Sequence, residues 1–363
     1  MRYNWQQKDW PDFQYQTQDI EDLLFDFAQR AGRIGGVLEG LTETEQSEAM
    51  INFMVSEAIK TSEIEGEYLS RNDVISSVRK NLGLPSQSPL TNDKRAEGIA
   101  ELMLAVRTDF LKPLSVEMLL DWHSMLMKGN TKVLVGQWRT HEDPMQIVSG
   151  AMGREVVHFE APPSKRVPAE MDGFINWFNK SQKSIKKPIL VAAIAHLYFE
   201  SIHPFEDGNG RIGRAIAEKA LSQSIGRPVL FSLSKSIESD KKAYYDALQS
   251  AQRSNEISKW INYFVRTTLN AQVDAEQEIE FTLKKAKFFD QYKDQFNSRQ
   301  QKVIRRMLDE GHTGFEGGMN ARKYVSLTGS SKATATRDLQ DLVEKGIFNP
   351  VGGGRSTRYS IKL

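Results

Sequence analysis

One run of thirteen residues constrains this chain of 363 residues more than any other feature. It reads IHPFEDGNGRIGR over residues 202–214 and lies between two segments with helical spacing of apolar residues. Gly208 and Gly210 can adopt a positive φ without a Cβ clash, so successive backbone N–H groups can surround an anion. The N-terminus of the helix that follows adds free donors and the positive end of its dipole. The run therefore predicts a phosphate-binding turn.

The charged side chains of the run predict chemistry on that phosphate. Arg211 and Arg214 are three residues apart, so both can face one side of the first helical turn and bind phosphate oxygens. Asp207 offers a hard oxygen ligand for Mg²⁺, and His203 can take a proton from an attacking hydroxyl. A calcium loop fits poorly because Arg211 stands where an oxygen ligand is needed, and no second histidine lies at zinc-ligand spacing.

The same run resembles the signature of the Fic family, HxFx(D/E)GNGRxxR, and matches it at every specified position. The resemblance implies a mainly α-helical core with a small β-hairpin flap. It also implies transfer of AMP from ATP to a Ser, Thr or Tyr hydroxyl of a target protein or of the chain itself. His203 would be the catalytic base and Asp207 the Mg²⁺ ligand. The implied nucleotide-binding set comprises Phe205 as a core anchor, Gly208, Asn209 and Gly210 as an anion hole, Arg211 at the departing pyrophosphate and Arg214 at the γ-phosphate.

A second, shorter motif, TSEIEG, lies upstream at residues 61–66. Glu65 falls near the end of a predicted helix, where a carboxylate opposes the helix dipole, and Gly66 is a natural left-handed stop. The motif matches the family's inhibitory pattern (S/T)xxxE(G/N). The resemblance implies that Thr61, Glu65 and Gly66 form an inhibitory element at the nucleotide site, with Glu65 paired to Arg214. The alternative is a solvated acidic patch, since three more glutamates lie close by: Glu57, Glu63 and Glu67.

Two other segments complete the predicted site. Short β-branched runs at 146–149 and 155–159 flank Gly150 and Gly153 and predict a hairpin where the family keeps its flap. Such a flap registers a target segment by strand addition. The implied flap residues are Val157, His158 and Phe159. Three residues resemble the family's nucleoside-side wall, where aromatic faces suit adenine or ribose: Tyr244, Tyr245 and Gln252. Ordinary packing is the alternative for each of these six residues.

Helical periodicity along most of the chain predicts four regions. They are an N-terminal helical region at 1–110 that carries the inhibitory motif, a Fic-type core at 111–270, a helical linker at 271–294 and a C-terminal domain at 295–363. Further helices are predicted over 244–264 and 274–289. These boundaries follow from shifts in pattern and charge along the sequence.

The C-terminal region is basic, with 12 Lys/Arg against 6 Asp/Glu, whereas the preceding residues are acidic overall. Its order of helices and strand-like runs resembles a winged helix-turn-helix. The recognition-like helix would carry Lys332, Thr334, Thr336 and Arg337, with Arg355 and Arg358 beside a glycine-rich wing. Two partners stay open for this domain: DNA, through phosphate neutralisation, or another protein.

Composition excludes several classes of protein. The chain has no cysteine, which excludes disulfide scaffolds, thiolate zinc sites, iron–sulfur clusters and cysteine nucleophiles. Its 39% hydrophobic and 26% charged residues are typical of a globular protein. No apolar run approaches the roughly 20 residues that a membrane helix needs, and the first residues lack the apolar segment of a signal peptide. We therefore expect a cytoplasmic protein without a membrane partner. Because Fic proteins often dimerise, a homodimer is a further assembly to test.

Three functions stay open from the sequence. The first is an autoinhibited protein adenylyltransferase that uses ATP and Mg²⁺. The second is a DNA-binding regulator whose core senses a nucleotide, and the third is a related enzyme that transfers another phosphate-linked group. The intact His203 favours an enzyme, because a sensor has no need of a base beside the phosphates.

Overall fold

The computed structural model describes residues 2–85, 92–149, 154, 156–292, 295–312 and 314–363, with the backbone alone at Leu38, Glu39 and Arg355. The predicted turn glycines, Gly150 and Gly153, and the side chain of Arg355 lie outside the described residues. The helices are α1 (Glu21–Glu39), α2 (Glu43–Ile64), α3 (Arg71–Asn81), α4 (Lys94–Thr108), α5 (Val116–Leu126), α6 (Val167–Ser184), α7 (Pro188–Ile202), α8 (Asn209–Ile225), α9 (Leu233–Ser239), α10 (Lys241–Ala251), α11 (Ser258–Tyr292), α12 (Ser298–Leu308), α13 (Ala321–Thr328) and α14 (Lys332–Glu344). The strands are β1 (Gln146–Ser149), β2 (Val156–Glu160), β3 (Phe348–Val351) and β4 (Arg358–Ile361).

The fold is mainly α-helical with two small antiparallel hairpins, β1–β2 and β3–β4, so the predicted fold class is confirmed. The chain divides into two compact units, Met1–Ala275 and Glu276–Leu363, and the boundary falls within α11. The predicted division into four regions is finer than this and stays a prediction. In the described part of the chain, every helix is too short or too polar to cross a membrane.

Helices α7 and α8 form the centre of the first unit. Helix α7 begins with Pro188, whose missing N–H costs nothing at the first helical position, and every residue from Ile189 to Ile202 is buried. Helix α8 packs along it and is buried through most of its length. The two helices are joined by residues 203–208. The signature run is therefore the connection between the two central helices.

Helix α2 carries the inhibitory motif to α8. A capping box at Thr42 and Glu45 starts the helix, and Glu65 is its C-terminal cap. Gly66 follows with a φ of 80°, which is the left-handed stop that the sequence predicts. Helix α2 packs against α8 and α9, so its last turn lies at the first turn of α8.

The first hairpin lies close to where the sequence predicts it. Strand β1 spans the predicted residues, and β2 covers Val156–Glu160, one residue beyond the predicted end at Phe159; the predicted first residue, Glu155, lies outside the described residues. The strands pair antiparallel, with Val148 opposite Val157 and a bulge between Ile147 and Val148. The base of the hairpin is tied to the N-terminal segment, because Trp5 Nε1 donates to Glu160 O at 2.7 Å.

The prediction of helix over 244–264 is wrong at its centre. Helix α10 ends at Ala251 and α11 begins at Ser258, then runs without a break through the predicted segment 274–289. The backbone between them pairs with the N-terminal segment instead. Asn4 N donates to Gln252 O, and Gln14 N donates to Asn255 O, both at 2.8 Å. A further helix, α9, was not predicted.

The second unit contains α12, α13, α14 and the β3–β4 hairpin, in the order that the sequence predicts. Asp338 on α14 joins these elements, since it accepts from Arg299 and from the buried Tyr324 hydroxyl. Lys332, Thr336 and Arg337 lie exposed on α14, whereas Thr334 is half-buried in its first turn. The assignment of a winged helix-turn-helix stays a prediction.

Candidate functional site

His203 ends helix α7 in a backbone conformation that few side chains adopt. Its φ is 51°, and it is the one non-glycine residue with a positive φ among those that the structure describes. Its N–H donates to Phe199 O at 2.9 Å, and Arg139 Nε donates to its carbonyl oxygen at 2.8 Å. Such a conformation persists where the surroundings impose it. The imidazole is 12% exposed and lines a cavity of about 580 Å³.

The turn after His203 is held by the side chain of Asn209. Its Oδ1 accepts from Phe205 N at 2.9 Å and its Nδ2 donates to Phe205 O at 2.8 Å. Phe205 is fully buried, as expected of a core anchor. Gly208 has a φ of 81°, and a Cβ there would lie 2.5 Å from the Met127 side chain. The Asn209 side chain thus shapes the turn, which leaves anion binding to backbone N–H groups.

His123 on α5 packs against the turn and forms hydrogen bonds around it. Its ring stacks on Phe205 at a centroid distance of 4.0 Å, its Nδ1 accepts from Gly136 N at 2.9 Å, and its Nε2 lies 3.2 Å from Asp207 O. Burial lowers the pKa of His123 to about 4, so the ring is neutral near pH 7. Because Nδ1 accepts, we assign the proton to Nε2, which then donates to Asp207 O.

Helix α8 presents Gly210 and Arg214 to the end of α2. Arg214 is buried, and its Nη2 lies 2.7 Å from Glu65 Oε1. Its Nε donates to Thr61 Oγ1 at 2.7 Å and its Nη2 to Thr61 O at 2.9 Å. A Cβ at Gly210 would lie 2.2 Å from Glu65 Oε1, so only glycine admits the carboxylate here. The structure therefore brings together the ends of both sequence motifs.

Arg211 has a partner that sequence reasoning missed. Its Nη1 lies 2.7 Å from Glu67 Oε2, two residues beyond Glu65, and its side chain is 4% exposed. The alternative of a solvated acidic patch over residues 57–67 therefore does not apply to Glu67, which is paired with Arg211. Each arginine of the signature thus faces one carboxylate from the end of α2.

Asp207 is the residue of the site whose chemistry fits a divalent cation. Its carboxylate is about half exposed; Oδ1 accepts from Gly208 N at 2.6 Å and lies 3.5 Å from Arg211 Nη2. Within the described residues, no cluster of three or more His, Asp or Glu could hold a metal ion by itself. A single carboxylate completed by phosphate oxygens is the arrangement that Mg²⁺ accepts.

The cavity beside His203 is closed on one side by the hairpin and on another by α10. Strand β2 contributes His158 and the buried Phe159, whereas Val157 lies partly exposed. Arg253 fixes β2 by donating to His158 O at 2.8 Å. Two of the three predicted flap residues, His158 and Phe159, thus line the cavity that contains His203, whereas Val157 is not part of its lining.

The predicted nucleoside wall divides into a buried and an accessible part. Tyr244 is buried, and its hydroxyl pairs with His196 Nε2 at 2.8 Å. Gln252 is also buried and donates to Glu200 O at 3.1 Å. Tyr245 is 39% exposed, and its hydroxyl lies 3.4 Å from Ile64 O. All three line the cavity that contains His203, and Tyr245 is the exposed member of the set.

Two further polar residues behind the signature were not predicted. Arg139 is fully buried and donates to the carbonyls of His203 and Pro162 and to Ser164 Oγ. Glu200 on α7 is buried, with Oε2 3.6 Å from His203 Nδ1. Glu200 had a signal, since a carboxylate inside an otherwise apolar helical run is costly to bury. Arg139 stands in a loop without any pattern.

Comparisons with known proteins agree with this geometry. Residues 113–221 match the Fic/DOC family model. Residues 3–84 match a domain of unknown function, DUF4172, and residues 316–362 match the C-terminal domain of the DIP2311-like transcriptional regulators.

Relatives with assigned names share part of the chain. The protein adenylyltransferase Fic of Aedes aegypti is 31% identical over 118 residues, which are 32% of this chain and 22% of that protein. The protein adenylyltransferase Fic of Nematostella vectensis is 22% identical over 209 residues, which are 56% of this chain and 44% of that protein. The chain thus spans less than half the length of these relatives.

A solved structure of a Fic family protein from Desulfovibrio desulfuricans matches 97% of this chain and 98% of its own, with a TM-score of 0.56 and 19% identity. At that identity the likeness concerns the fold. The chain therefore contains a Fic/DOC domain, which runs from α5 into α8, and shares its fold with a Fic family structure.

Proposed function

We propose that the chain is a protein adenylyltransferase that transfers AMP from ATP to a hydroxyl side chain of a target protein. The observation that carries the proposal is the position of His203. Its ring lines the same cavity as Gly210, in the first turn of α8, and Tyr245. A base, an anion-binding helix start and an aromatic surface thus meet at one cavity. The relatives named protein adenylyltransferases support the same reaction.

The chain's own residues suffice to describe the transfer. His203 takes the proton of the target hydroxyl as the oxygen forms its bond to the α-phosphorus. The bond from that phosphorus to the pyrophosphate oxygen breaks, and the backbone N–H groups of Asn209 and Gly210, in the first turn of α8, stabilise the charge that develops. Arg211 and Arg214 bind the departing pyrophosphate in the roles that the family resemblance implies.

Asp207 would hold Mg²⁺ together with phosphate oxygens, since its carboxylate is half exposed at the start of α8. When bound, the ion would neutralise charge on the phosphates. The protein's part is to hold the carboxylate beside the turn, which the bond from Gly208 N to Asp207 Oδ1 does.

The enzyme is autoinhibited by Glu65. The support is the pair from Arg214 Nη2 to Glu65 Oε1 at 2.7 Å, formed where the resemblance places the γ-phosphate. The carboxylate occupies the guanidinium that a phosphate would bind, so ATP must displace it or bind without that contact. Arg214 is buried, which makes this competition stronger than at an exposed pair.

Mass spectrometry of the chain after incubation with ATP and Mg²⁺ tests the reaction. Glu65→Gly is expected to gain an AMP adduct on itself or on a target in lysate, whereas the wild type gains little. His203→Ala in the Glu65→Gly background is expected to lose the adduct. An adduct that persists without His203 would overturn its assignment as base, and an unchanged adduct in Glu65→Gly would overturn the inhibition.

The nucleotide donor is tested in the same experiment. Incubation with an equimolar mixture of ATP, GTP, CTP and UTP is expected to give AMP adducts predominantly. An adduct of another mass would favour the alternative of a different phosphate-linked group, for which Tyr245 and the hairpin would set the choice.

DNA binding by the second unit is a further candidate. It is favoured by the match of residues 316–362 to a transcriptional-regulator domain and by the exposed Lys332, Thr336 and Arg337 on α14. Binding of this type depends steeply on salt. A mobility shift of random duplex by the full chain at low salt, reduced in Lys332→Ala/Arg337→Ala, would support it; a shift unchanged in that variant, or none, would overturn it.

A further inference from the structure

A second carboxylate lies directly behind the proposed base. Glu200 is in the last turn of α7, three residues before His203, and is 3% exposed. Its Oε2 lies 3.6 Å from His203 Nδ1. The Nδ1 atom is buried without a hydrogen-bond partner in this structure, and so is Glu200 Oε1. An imidazole nitrogen and a carboxylate, both shielded from water, therefore face each other across a short gap.

A glycine on the neighbouring helix leaves space for the Glu200 carboxylate, whose burial is unfavourable without a partner. A Cβ at Gly213 on α8 would lie 2.5 Å from Glu200 Oε1, so a larger residue would collide with the carboxylate. Burial would raise the pKa of the Glu200 carboxyl, but the neighbouring His203, His196 and Arg214 more than offset it and hold the pKa below its usual value. A buried negative charge in an apolar helix requires a compensating partner.

The other groups that face Glu200 each bond to another residue but keep one buried nitrogen without a hydrogen-bond partner, namely His196 Nδ1 and Arg214 Nη1. His196, one turn earlier on α7, pairs through Nε2 with the Tyr244 hydroxyl of α10, and burial lowers its pKa so that the ring is neutral. Arg214 of α8 is committed to Glu65 and Thr61 of α2. Among these neighbours, His203 is the one whose Nδ1 lies 3.6 Å from Glu200 Oε2 and whose ring also lines the cavity.

We propose that Glu200 is a positioning residue for His203, whose Nδ1–H it accepts while Nε2 faces the cavity. The inference rests on the proposed function, because it assigns how the base of that reaction is oriented. In the transfer, the hydroxyl proton passes to Nε2 as the oxygen–phosphorus bond forms and pyrophosphate leaves. The Nδ1 proton stays in place and the carboxylate stays ionised, so it stabilises the imidazolium that forms. The gap of 3.6 Å closes on substrate binding, as catalytic hydrogen bonds tighten in the reactive complex.

Two variants in the Glu65→Gly background separate charge from hydrogen bonding. Glu200→Gln keeps an acceptor but loses the charge, and Glu200→Met loses both at similar volume. We expect the adenylylation rate at saturating ATP to fall about tenfold in Glu200→Gln and about a hundredfold in Glu200→Met, with the KM for ATP unchanged. The acid limb of the pH–rate profile should move to lower pH in Glu200→Gln, because the imidazolium loses its counter-charge.

The matched control is Glu57→Gln. Glu57 is equally buried but accepts from Ser232 and Ser234 at the start of α9, away from His203. It should lower the unfolding temperature and leave the pH–rate profile of the folded enzyme in place. Glu200→Asp, which restores the charge on a shorter stem, should recover part of the rate that Glu200→Met loses.

The ¹⁵N shifts of the His203 ring in the nucleotide-free full chain test the contact without catalysis. The signal is assigned by its loss in His203→Ala. We expect the Nδ1–H tautomer with Glu200 and a mixture of tautomers in Glu200→Met. An unchanged tautomer in Glu200→Met, or a rate within twofold of its parent, would overturn the role of Glu200. If Glu65→Gly shows no transfer at all, the proposed function fails, and the tautomer still decides the positioning role.

Discussion

The signature turn at 203–214 and the β1–β2 hairpin lie on the same cavity but are built in opposite ways. The turn is closed by buried side chains, with Phe205 fully buried and Arg214 1% exposed. The hairpin carries apolar side chains in the open, with Val148 48% and Val156 57% exposed. Exposure of valine side chains to water is unfavourable, so a strand that carries them favours pairing with a further strand that would cover them.

This difference indicates a division of work. In the proposed transfer, groups that meet a phosphate and a proton need fixed positions, and the buried side chains of the turn provide them. A surface that receives varied target segments gains from main-chain pairing, which tolerates sequence differences.

Arg139 links the two regions, and its loss should have the largest effect. It is buried and donates to carbonyls of the turn and of the segment after β2, at His203 and Pro162. Arg139→Met leaves these carbonyls without a donor, so we expect a loss of about 3 kcal/mol or more in the free energy of unfolding and complete loss of adenylylation. Urea unfolding measures the first and AMP labelling the second. Lys165→Met, on the nearby surface, is the control; equal stability of the two variants would refute the link.

His123 should make the stability of the turn depend on pH. Burial lowers its pKa to about 4 from 6.5, so the unfolded chain binds a proton more readily between these values. The neutral His123 ring contributes fully to the free energy of unfolding above about pH 6.5. This contribution is lost as the pH falls towards 4, and the loss is at most about 3 kcal/mol. His196, whose pKa burial also lowers, acts in the same direction. The free energy of unfolding should therefore fall less steeply with acidification in His123→Gln than in the wild type.

Urea titrations across this pH range check the slope. His141→Gln is the matched control, because the His141 ring contacts Asp143 O rather than the turn at residues 203–208. A slope for His123→Gln that equals the wild-type slope would show that the ring is not held neutral.

Asn209 should matter for rate more than for stability. Its side chain makes two hydrogen bonds to the backbone of Phe205, and Asn209→Ala removes both. We expect a loss of about 2 kcal/mol in the free energy of unfolding, and a rate about a hundredfold lower in the Glu65→Gly background because the N–H groups lose their alignment. Gln223→Ala, at the other end of α8, should leave the rate unchanged. A rate within threefold in Asn209→Ala would mean that the turn keeps its shape without the amide.

The parts of the site differ in how well the sequence predicts them. Glu65 and Arg214 belong to two short motifs, and their pairing could be expected from the resemblance of those motifs to the Fic family, whereas the close approach of Glu65 to Gly210 could not. Arg139 and His123 reach the turn from a loop and a distant helix, and a single arginine or histidine carries no pattern that indicates burial. The helix break at 252–257 contains neither glycine nor proline. It forms because Asn4 and Gln14 take up its carbonyls, a long-range pairing that local periodicity cannot contain.

Substitution of exposed hairpin residues should change modification of the target protein, but not the stability of the chain or its binding of ATP. Val156→Ser removes an apolar side chain that is 57% exposed, so stability should change by no more than about 0.5 kcal/mol. If a target strand covers Val156, modification of that target should fall about tenfold, whereas binding of ATP stays the same. Val351→Ser, 60% exposed on β3 in the second unit, is the matched control. A fall in nucleotide affinity instead would place the hairpin at the nucleotide.

Glu67 should give the smallest effect, because its pair with Arg211 is partly exposed. The carboxylate is 32% exposed and lies 2.7 Å from Arg211 Nη1, an interaction worth about 0.5–1 kcal/mol. Glu67→Gln frees a guanidinium that binds pyrophosphate in the proposed transfer, so we expect a two- to fivefold gain in the rate of AMP labelling, smaller than the gain of Glu65→Gly. Glu63→Gln, which breaks a pair with Lys60 in the same segment, should change nothing. A lower rate in Glu67→Gln would mean that Glu67 aligns Arg211 rather than occupying it, and the two arginines of the signature would then be controlled in opposite senses.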